Sequence, residues 1–131
     1  LQFGYLGESE ADVEKTIRMV EDLMPDDIGV SVSYPLPGTL FYEKVKDDLG
    51  GKANWTDSDD LAMMFRNRQR PLYYKRLHRY VHKRYRRKQA LHALYQAMDR
   101  TSFEPRTILS GLYYVPATMV ERMRLARLVR S

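Results

Sequence analysis

Few side chains in this sequence have the type and spacing that chemistry requires. His78 and His82 are four residues apart, which places two imidazoles on one face of a helix, as in zinc sites. No Glu follows His78 as a metalloprotease requires, and the neighbouring Lys and Arg residues oppose a bound cation. The run Asp57, Asp59 and Asp60 lacks the Gly and the distant Glu of a calcium loop, so it favours a capped helix start. We predict no catalytic residue and no metal ligand in this chain.

The amino-acid composition excludes further kinds of site. The 131 residues contain no cysteine, which excludes a disulfide, a thiol nucleophile and cysteine ligands for zinc or an iron–sulfur cluster. No apolar run approaches the roughly 18 to 20 residues that cross a membrane, and the first residues lack the pattern of a signal peptide. We therefore expect a cytoplasmic protein.

Charge divides the sequence into two halves. Residues 1–65 carry 5 basic and 14 acidic side chains, whereas residues 66–131 carry 17 basic and 3 acidic ones. One cluster of cations and tyrosines in the basic half comprises Arg84, Arg86, Arg87, Lys88, Tyr80 and Tyr85. Such a cluster is typical of a helix that binds nucleic acid or an anionic membrane surface. The alternative is that the two halves neutralise each other and the rest of a larger protein.

The elements that position these groups are predicted from local signals. A short strand runs into Gly4 and Gly7, which permit a tight turn. Ser9 and Asp12 then have the spacing of a capping box that starts a helix. The apolar face of this helix comprises Val13, Ile17, Val20 and Met24. These signals predict one strand–turn–helix unit.

A second unit of the same kind follows. Alternating apolar and small residues predict a strand over 28–34, and Thr39 is placed to cap a helix over 40–49. A strand–helix–strand order of this length predicts parallel pairing with a right-handed crossover. Sites of parallel sheets lie beyond the carboxyl ends of the strands. Those ends are here the first turn (residues 4–8) and the second turn (residues 35–39).

The rest of the chain is predicted to be helical. Residues 72–98 form one long helix whose expected buried stripe is Leu77, Val81, Leu91, Leu94, Tyr95 and Met98. Residues 101–110 are predicted to begin as a polar connection. Residues 112–116 are predicted to precede a last basic helix. The expected packing residues of that helix are Met119, Met123, Ala126 and Leu128.

Three segments carry a resemblance to a known family. Residues 4–10 and 33–39 look like the late strands of the radical S-adenosylmethionine (SAM) barrel, and the ordered pair is more specific than either segment alone. Residues 54–65 resemble a segment that follows the barrel in cobalamin-binding radical SAM proteins. The resemblance covers about residues 1–90. It implies an α/β fold: a partial, TIM-like barrel of two β/α units in residues 1–52, then an all-helical, basic extension in residues 53–131.

The resemblance also implies a cofactor site. Phe3 and Gly4 are similar to positions that neighbour SAM in the family, and Gly7 and Glu8 match the loop that shapes the end of that strand. In the intact enzyme, SAM would be cleaved to a 5′-deoxyadenosyl radical, or cobalamin would assist a methyl transfer, on a small organic substrate. A tight turn without any ligand is the alternative interpretation of the two glycines.

The sequence also departs from the family. The family's Cys-x3-Cys-x2-Cys motif has no counterpart here, and neither does the Rossmann-like domain that holds cobalamin in the family. The [4Fe–4S] cluster and cobalamin are therefore expected in a missing N-terminal part of the same protein, and this chain alone is expected to be inert. Residues 66–74 also depart from the family pattern. A basic helical module that binds nucleic acid or an anionic membrane is the alternative function.

Overall fold

A computed structural model describes residues 1–49 and 69–129. Its elements are β1 (Gln2–Phe3), α1 (Glu10–Leu23), β2 (Ser31–Val32), α2 (Leu40–Val45), a 3-10 turn (Lys46–Asp48), α3 (Pro71–Met98) and α4 (Pro105–Val129). Helices account for 69% of the described residues. The Asp57–Asp60 cluster, the resembling segment 54–65 and the predicted boundary between residues 52 and 53 lie outside the described residues.

Helix α1 confirms the predicted start. The Ser9 side chain accepts a hydrogen bond from the Asp12 amide, and the Asp12 carboxylate accepts one from the Ser9 amide, which completes the capping box. Val13, Ile17 and Val20 are buried, as their spacing predicts. Likewise, the Thr39 hydroxyl accepts a hydrogen bond from the Tyr42 amide at 3.1 Å and begins α2.

The two strands are parallel, as predicted, but much shorter than predicted. Gln2 pairs with Ser31 and Phe3 with Val32, and the described sheet contains no further strand. The predicted strand over 28–34 is wrong in its length because β1 offers only two residues for pairing. A further hydrogen bond, which the Ser33 amide donates to the Phe3 carbonyl at 2.7 Å, extends the ladder slightly.

The predicted partial TIM-like barrel is wrong. The described chain is mostly helical, with one two-stranded sheet and no succession of barrel units. A single buried cluster joins the sheet, α1 and the first half of α3, and it includes Phe3, Val13, Ile17, Val20, Val32, Leu77, Val81 and Tyr85. The sheet is therefore covered by a long helix rather than continued by neighbouring strands, and the basic half shares its core with the acidic half.

Helices α3 and α4 form an antiparallel hairpin. Gly111 on α4 faces Ala90 on α3, and a Cβ built on this glycine would lie 3.2 Å from the alanine Cβ. The small residues Ala90 and Ala93 are buried. Close approach of the two helices explains why small side chains occupy this part of the hairpin.

The buried stripe predicted for α3 is right for two of its six residues. Leu77 and Val81 are buried, but the four residues predicted to continue the stripe are exposed: Leu91, Leu94, Tyr95 and Met98. The core cluster on α3 ends at Tyr85, because α1 and the sheet cover only the first part of this long helix. Beyond that point the buried residue Ala90 of α3 lies against Gly111 of α4.

Helix α4 differs from its prediction in extent and orientation. It begins at Pro105 and contains residues 112–116, including Pro116, which were predicted to precede the last helix. Of its expected packing residues, Leu128 packs against the core, whereas Met119, Met123 and Ala126 are exposed. The residues that α4 buries are instead Thr118 and Glu121.

Candidate cofactor site at the carboxyl end of the sheet

The first turn leaves β1 through two left-handed glycines. Gly4 has a φ of 88° and Gly7 a φ of 84°, values that side chains with a Cβ rarely adopt. The Glu8 amide donates to the Tyr5 carbonyl at 3.0 Å and closes the turn. The turn therefore requires glycine for conformational reasons, whether or not it binds a ligand.

Glu8 fixes the turn through its side chain. Its Oε2 accepts a hydrogen bond from the Gly4 amide at 2.7 Å. Burial raises the pKa of Glu8, and the Gly4 hydrogen bond offsets this only in part. Tyr73 and Tyr74, at the start of α3, line a cavity of about 10 Å³ behind Glu8, and burial together with nearby carboxylates raises the pKa of Tyr73 to about 12. The first turn is thus supported from behind by α3.

An aromatic contact joins the first turn to α2, which follows the second turn. The rings of Tyr5 and Phe41 lie 5.6 Å apart, and the Tyr5 hydroxyl donates to the Gln2 side chain. Four large apolar side chains at this end of the sheet are exposed, and Tyr5 itself is one of them: Tyr5, Leu6, Leu36 and Leu40. We call these four residues and Phe41 the apolar rim. The rim offers a flat apolar group a surface to stack on.

Ser33 adds an unsatisfied polar group at the same end of the sheet. It follows β2, is 1% exposed, and its hydroxyl has no hydrogen-bond partner among the described residues. Buried hydroxyls in folded proteins nearly always have a partner. A buried water molecule would meet this need.

The structure gathers most of the predicted site residues and separates one. Gly4, Gly7 and Glu8 share the first turn, whereas the Phe3 ring is 1% exposed and belongs to the core. The sequence interpretation missed the apolar rim, the orphan Ser33 hydroxyl and the two tyrosines behind Glu8. Leucines that stand beside Pro or Gly in the sequence were a local signal for the apolar rim. No local signal places α3 behind the first turn.

A first prediction concerns the conformation of Gly7. We expect Gly7→Ala to lower the free energy of unfolding by about 1 kcal/mol, because alanine is strained at a positive φ. An added methyl group meets no atom within 4 Å, so the strain is purely conformational. Gly29→Ala is the matched control, since Gly29 is equally open but lacks a positive φ. Urea denaturation of both variants measures the difference, and equal stabilities would contradict the prediction.

The basic cluster on α3 forms ion pairs with carboxylates of the acidic half. Arg84 lies between Glu14 and Glu21 of α1 and makes two hydrogen bonds to each carboxylate, at 2.7 to 2.9 Å. Burial alone would lower the pKa of Arg84, but these hydrogen bonds raise it above its usual range. The Arg84 hydrogen bonds also lower the pKa of Glu14. This guanidinium is a link between α1 and α3.

The neighbouring cations are partly engaged as well. Arg86 approaches Asp27 at 3.4 Å and Arg87 approaches Glu21 at 3.9 Å, while Lys88 has no acidic partner in the described parts of the chain. Three of the four candidate phosphate-binding cations therefore contact carboxylates of the same chain. These contacts favour the interpretation that the two halves neutralise each other.

A second ion cluster lies between the helices of the hairpin. The Glu121 side chain is 1% exposed and approaches Lys83 at 3.0 Å, Arg124 at 3.4 Å and Arg76 at 3.5 Å. Burial would raise the pKa of Glu121, but the cations, Lys83 above all, lower it below its usual value. This carboxylate was not singled out by the sequence, because nothing local distinguishes it from an exposed one.

The rings of the two histidines on α3 lie side by side. The rings of His78 and His82 are 4.4 Å apart, and burial lowers the pKa of both. Within residues 1–49 and 69–129, no group of three or more His, Cys, Asp or Glu side chains is arranged to hold a metal ion.

No protein-family model, no curated protein and no solved structure matches the chain. Among the described helices, none is both long and apolar enough to cross a bilayer.

Proposed function

We propose that this chain is the C-terminal part of a cobalamin-binding radical SAM protein, in which the first turn forms one side of the SAM site. The observation that carries the proposal is the juxtaposition at one sheet end of the first turn and the apolar rim. Both lie beyond the carboxyl ends of two parallel strands, the usual position of ligands in such sheets.

The residues present suit the adenosyl part of SAM. Tyr5 and Leu6 offer exposed apolar surface to a flat purine. An iron–sulfur cluster does not fit this chain, because it contains no thiolate. The cluster and cobalamin therefore belong, in this proposal, to the missing N-terminal part of the same protein. That protein would act on a small molecule in the cytoplasm.

Nucleic-acid binding by α3 is the weaker candidate. Its cations Arg84, Arg86 and Arg87 already contact carboxylates of α1 and of the loop that follows it. Phosphate binding at Arg84 would have to displace short, partly buried ion pairs, at a cost in free energy. The geometry of α3 thus favours a structural role.

Titration of the isotope-labelled chain with SAM tests the proposal. We expect amide shifts in the first and second turns, with a dissociation constant of about 1 mM, because the chain supplies only one side of the site. Tyr5→Ala should weaken binding several-fold, since it removes the ring against which the purine stacks. Nuclear magnetic resonance spectra follow both effects residue by residue.

Two controls make this test specific. Tyr95→Ala removes a similarly exposed tyrosine from α3 and should leave SAM binding unchanged. Adenosine should shift the same amides, whereas methionine should not. Shifts confined to other surfaces, or an encoding gene without Cys-x3-Cys-x2-Cys upstream, would contradict the proposal.

A further inference from the structure

The outward face of α4 is an uninterrupted apolar strip. Its residues recur at spacings of three, one, three, three, one and three, which confines them to about a third of the helix circumference. They are Leu109, Leu112, Tyr113, Pro116, Met119, Val120 and Met123, and we call them the outer strip. The strip is about 21 Å long at 1.5 Å per residue. All of its side chains are exposed, Leu112 to 78% and Met119 to 60%.

The opposite face of α4 packs against α3 and is unusually polar. Thr118 and Glu121 are its buried residues, and Gly111 faces Ala90. In a helix packed on one side only, the apolar strip normally faces the core. In its middle part, helix α4 instead directs Thr118 and Glu121 inward and the apolar residues of the outer strip outward, whereas Leu125, Leu128 and Val129 near its end pack against the core. Hydrophobic burial against the described residues does not explain the outer strip.

The charges around the outer strip have one sign. Arg106 and Arg127 are exposed and have no acidic partner in the described residues, and Arg124 is also exposed. The single carboxylate of α4, Glu121, is turned into the hairpin and neutralised there. The accessible face of α4 thus combines apolar and cationic side chains without an exposed carboxylate.

We propose that α4 binds the surface of an anionic lipid bilayer through the outer strip. The helix would lie flat in the headgroup region, with its leucines and methionines among the acyl chains and its arginines near lipid phosphates. Apolar area and cationic charge on one accessible face are the two features that give interfacial helices their affinity. The exposed arginines around the outer strip argue against a second copy of this chain as the partner, because it would bring the same charges together. The proposal is independent of SAM binding.

Flotation of the 131-residue chain with lipid vesicles tests this inference. We expect at least about tenfold stronger partition into phosphatidylcholine vesicles containing phosphatidylglycerol than into pure phosphatidylcholine vesicles. Leu112→Asp combined with Met119→Asp should lower the partition about tenfold or more, because both charges would enter the apolar layer. Leu23→Asp, at an exposed leucine on α1, is the matched control and should have no effect.

The electrostatic part is tested separately. Arg106→Gln and Arg127→Gln should each lower partition into anionic vesicles about fivefold and leave partition into neutral vesicles unchanged. Circular dichroism verifies that the variants fold, which is expected because all altered side chains are exposed. Equal partition into both vesicle types, or an unaltered partition of the double Asp variant, would refute the proposal. The proposal would also be refuted if the chain bound no vesicles and instead formed a dimer that the Asp substitutions dissociate.

Discussion

Arg84→Met is expected to lower the free energy of unfolding by about 3 kcal/mol, the cost of leaving buried charges without their partner. The guanidinium makes four hydrogen bonds to Glu14 and Glu21, and its side chain is only 12% exposed. Methionine fills the space but leaves two neighbouring carboxylates facing each other, one of them 13% exposed. Chemical denaturation at neutral pH measures the loss.

Two comparisons separate this ion pair from a general effect of removing arginine. Arg79→Met removes an exposed arginine without a described acidic partner and should change stability by no more than about 0.5 kcal/mol. Adding Glu14→Gln and Glu21→Gln to Arg84→Met should recover much of the loss, because the unpaired charges disappear. Equal stabilities of the Arg84 and Arg79 variants would show that the link between α1 and α3 has no energetic role.

Local features of the fold were predictable from the sequence. The start of α1 depends on Ser9 and Asp12, which are three residues apart and meet whenever the helix forms. The first turn depends on two glycines whose positive φ values are local requirements. Parallel pairing followed from the length of the connecting helix. Interactions of this kind involve neighbours along the chain, so one sequence is enough to identify them.

Features that depend on distant neighbours were not predictable in the same way. Leu91 and Tyr95 continue the spacing of the buried Leu77 and Val81, yet they are exposed because the partner layer is shorter than α3. Periodicity shows that a helix has an apolar face but not how far another element covers it. The barrel prediction failed for a related reason, since it assumed neighbouring strands where the described chain supplies a helical hairpin.

The candidate site shows the same division. Gly4, Gly7 and Glu8 were predicted together because they are neighbours in one turn. The contact between Tyr5 and Phe41 joins residues 36 positions apart, and Tyr73 reaches the back of the turn from another helix. Hydropathy also misassigned α4, because it cannot distinguish an apolar face that packs from one that is displayed.

Glu121→Ala should produce a loss of comparable size, about 3 kcal/mol, because it opens a space in the hairpin and leaves Lys83 and Arg76 without their shared carboxylate. Glu43→Ala is the matched control: its carboxylate contacts Lys46 at 2.8 Å, but both side chains are about half exposed. That variant should lose at most about 0.5 kcal/mol. Thermal or urea unfolding of the two variants, compared with the unaltered chain, measures the contrast, and similar losses would contradict the role assigned to the buried cluster.

The pH dependence of the same cluster has a definite sign. The pKa of Glu121 is lower in the folded chain than its usual 4.5, so ionisation favours the folded state. Its contribution should be complete above pH 4.5 and disappear as the pH falls through the lowered folded value. Glu121→Gln cannot titrate, so its stability should fall less steeply in that acidic range, while it is already reduced at neutral pH. If the stability of both proteins fell equally steeply with pH, the pKa of Glu121 would be the same in the folded and unfolded states. Its three cations would then not hold it ionised.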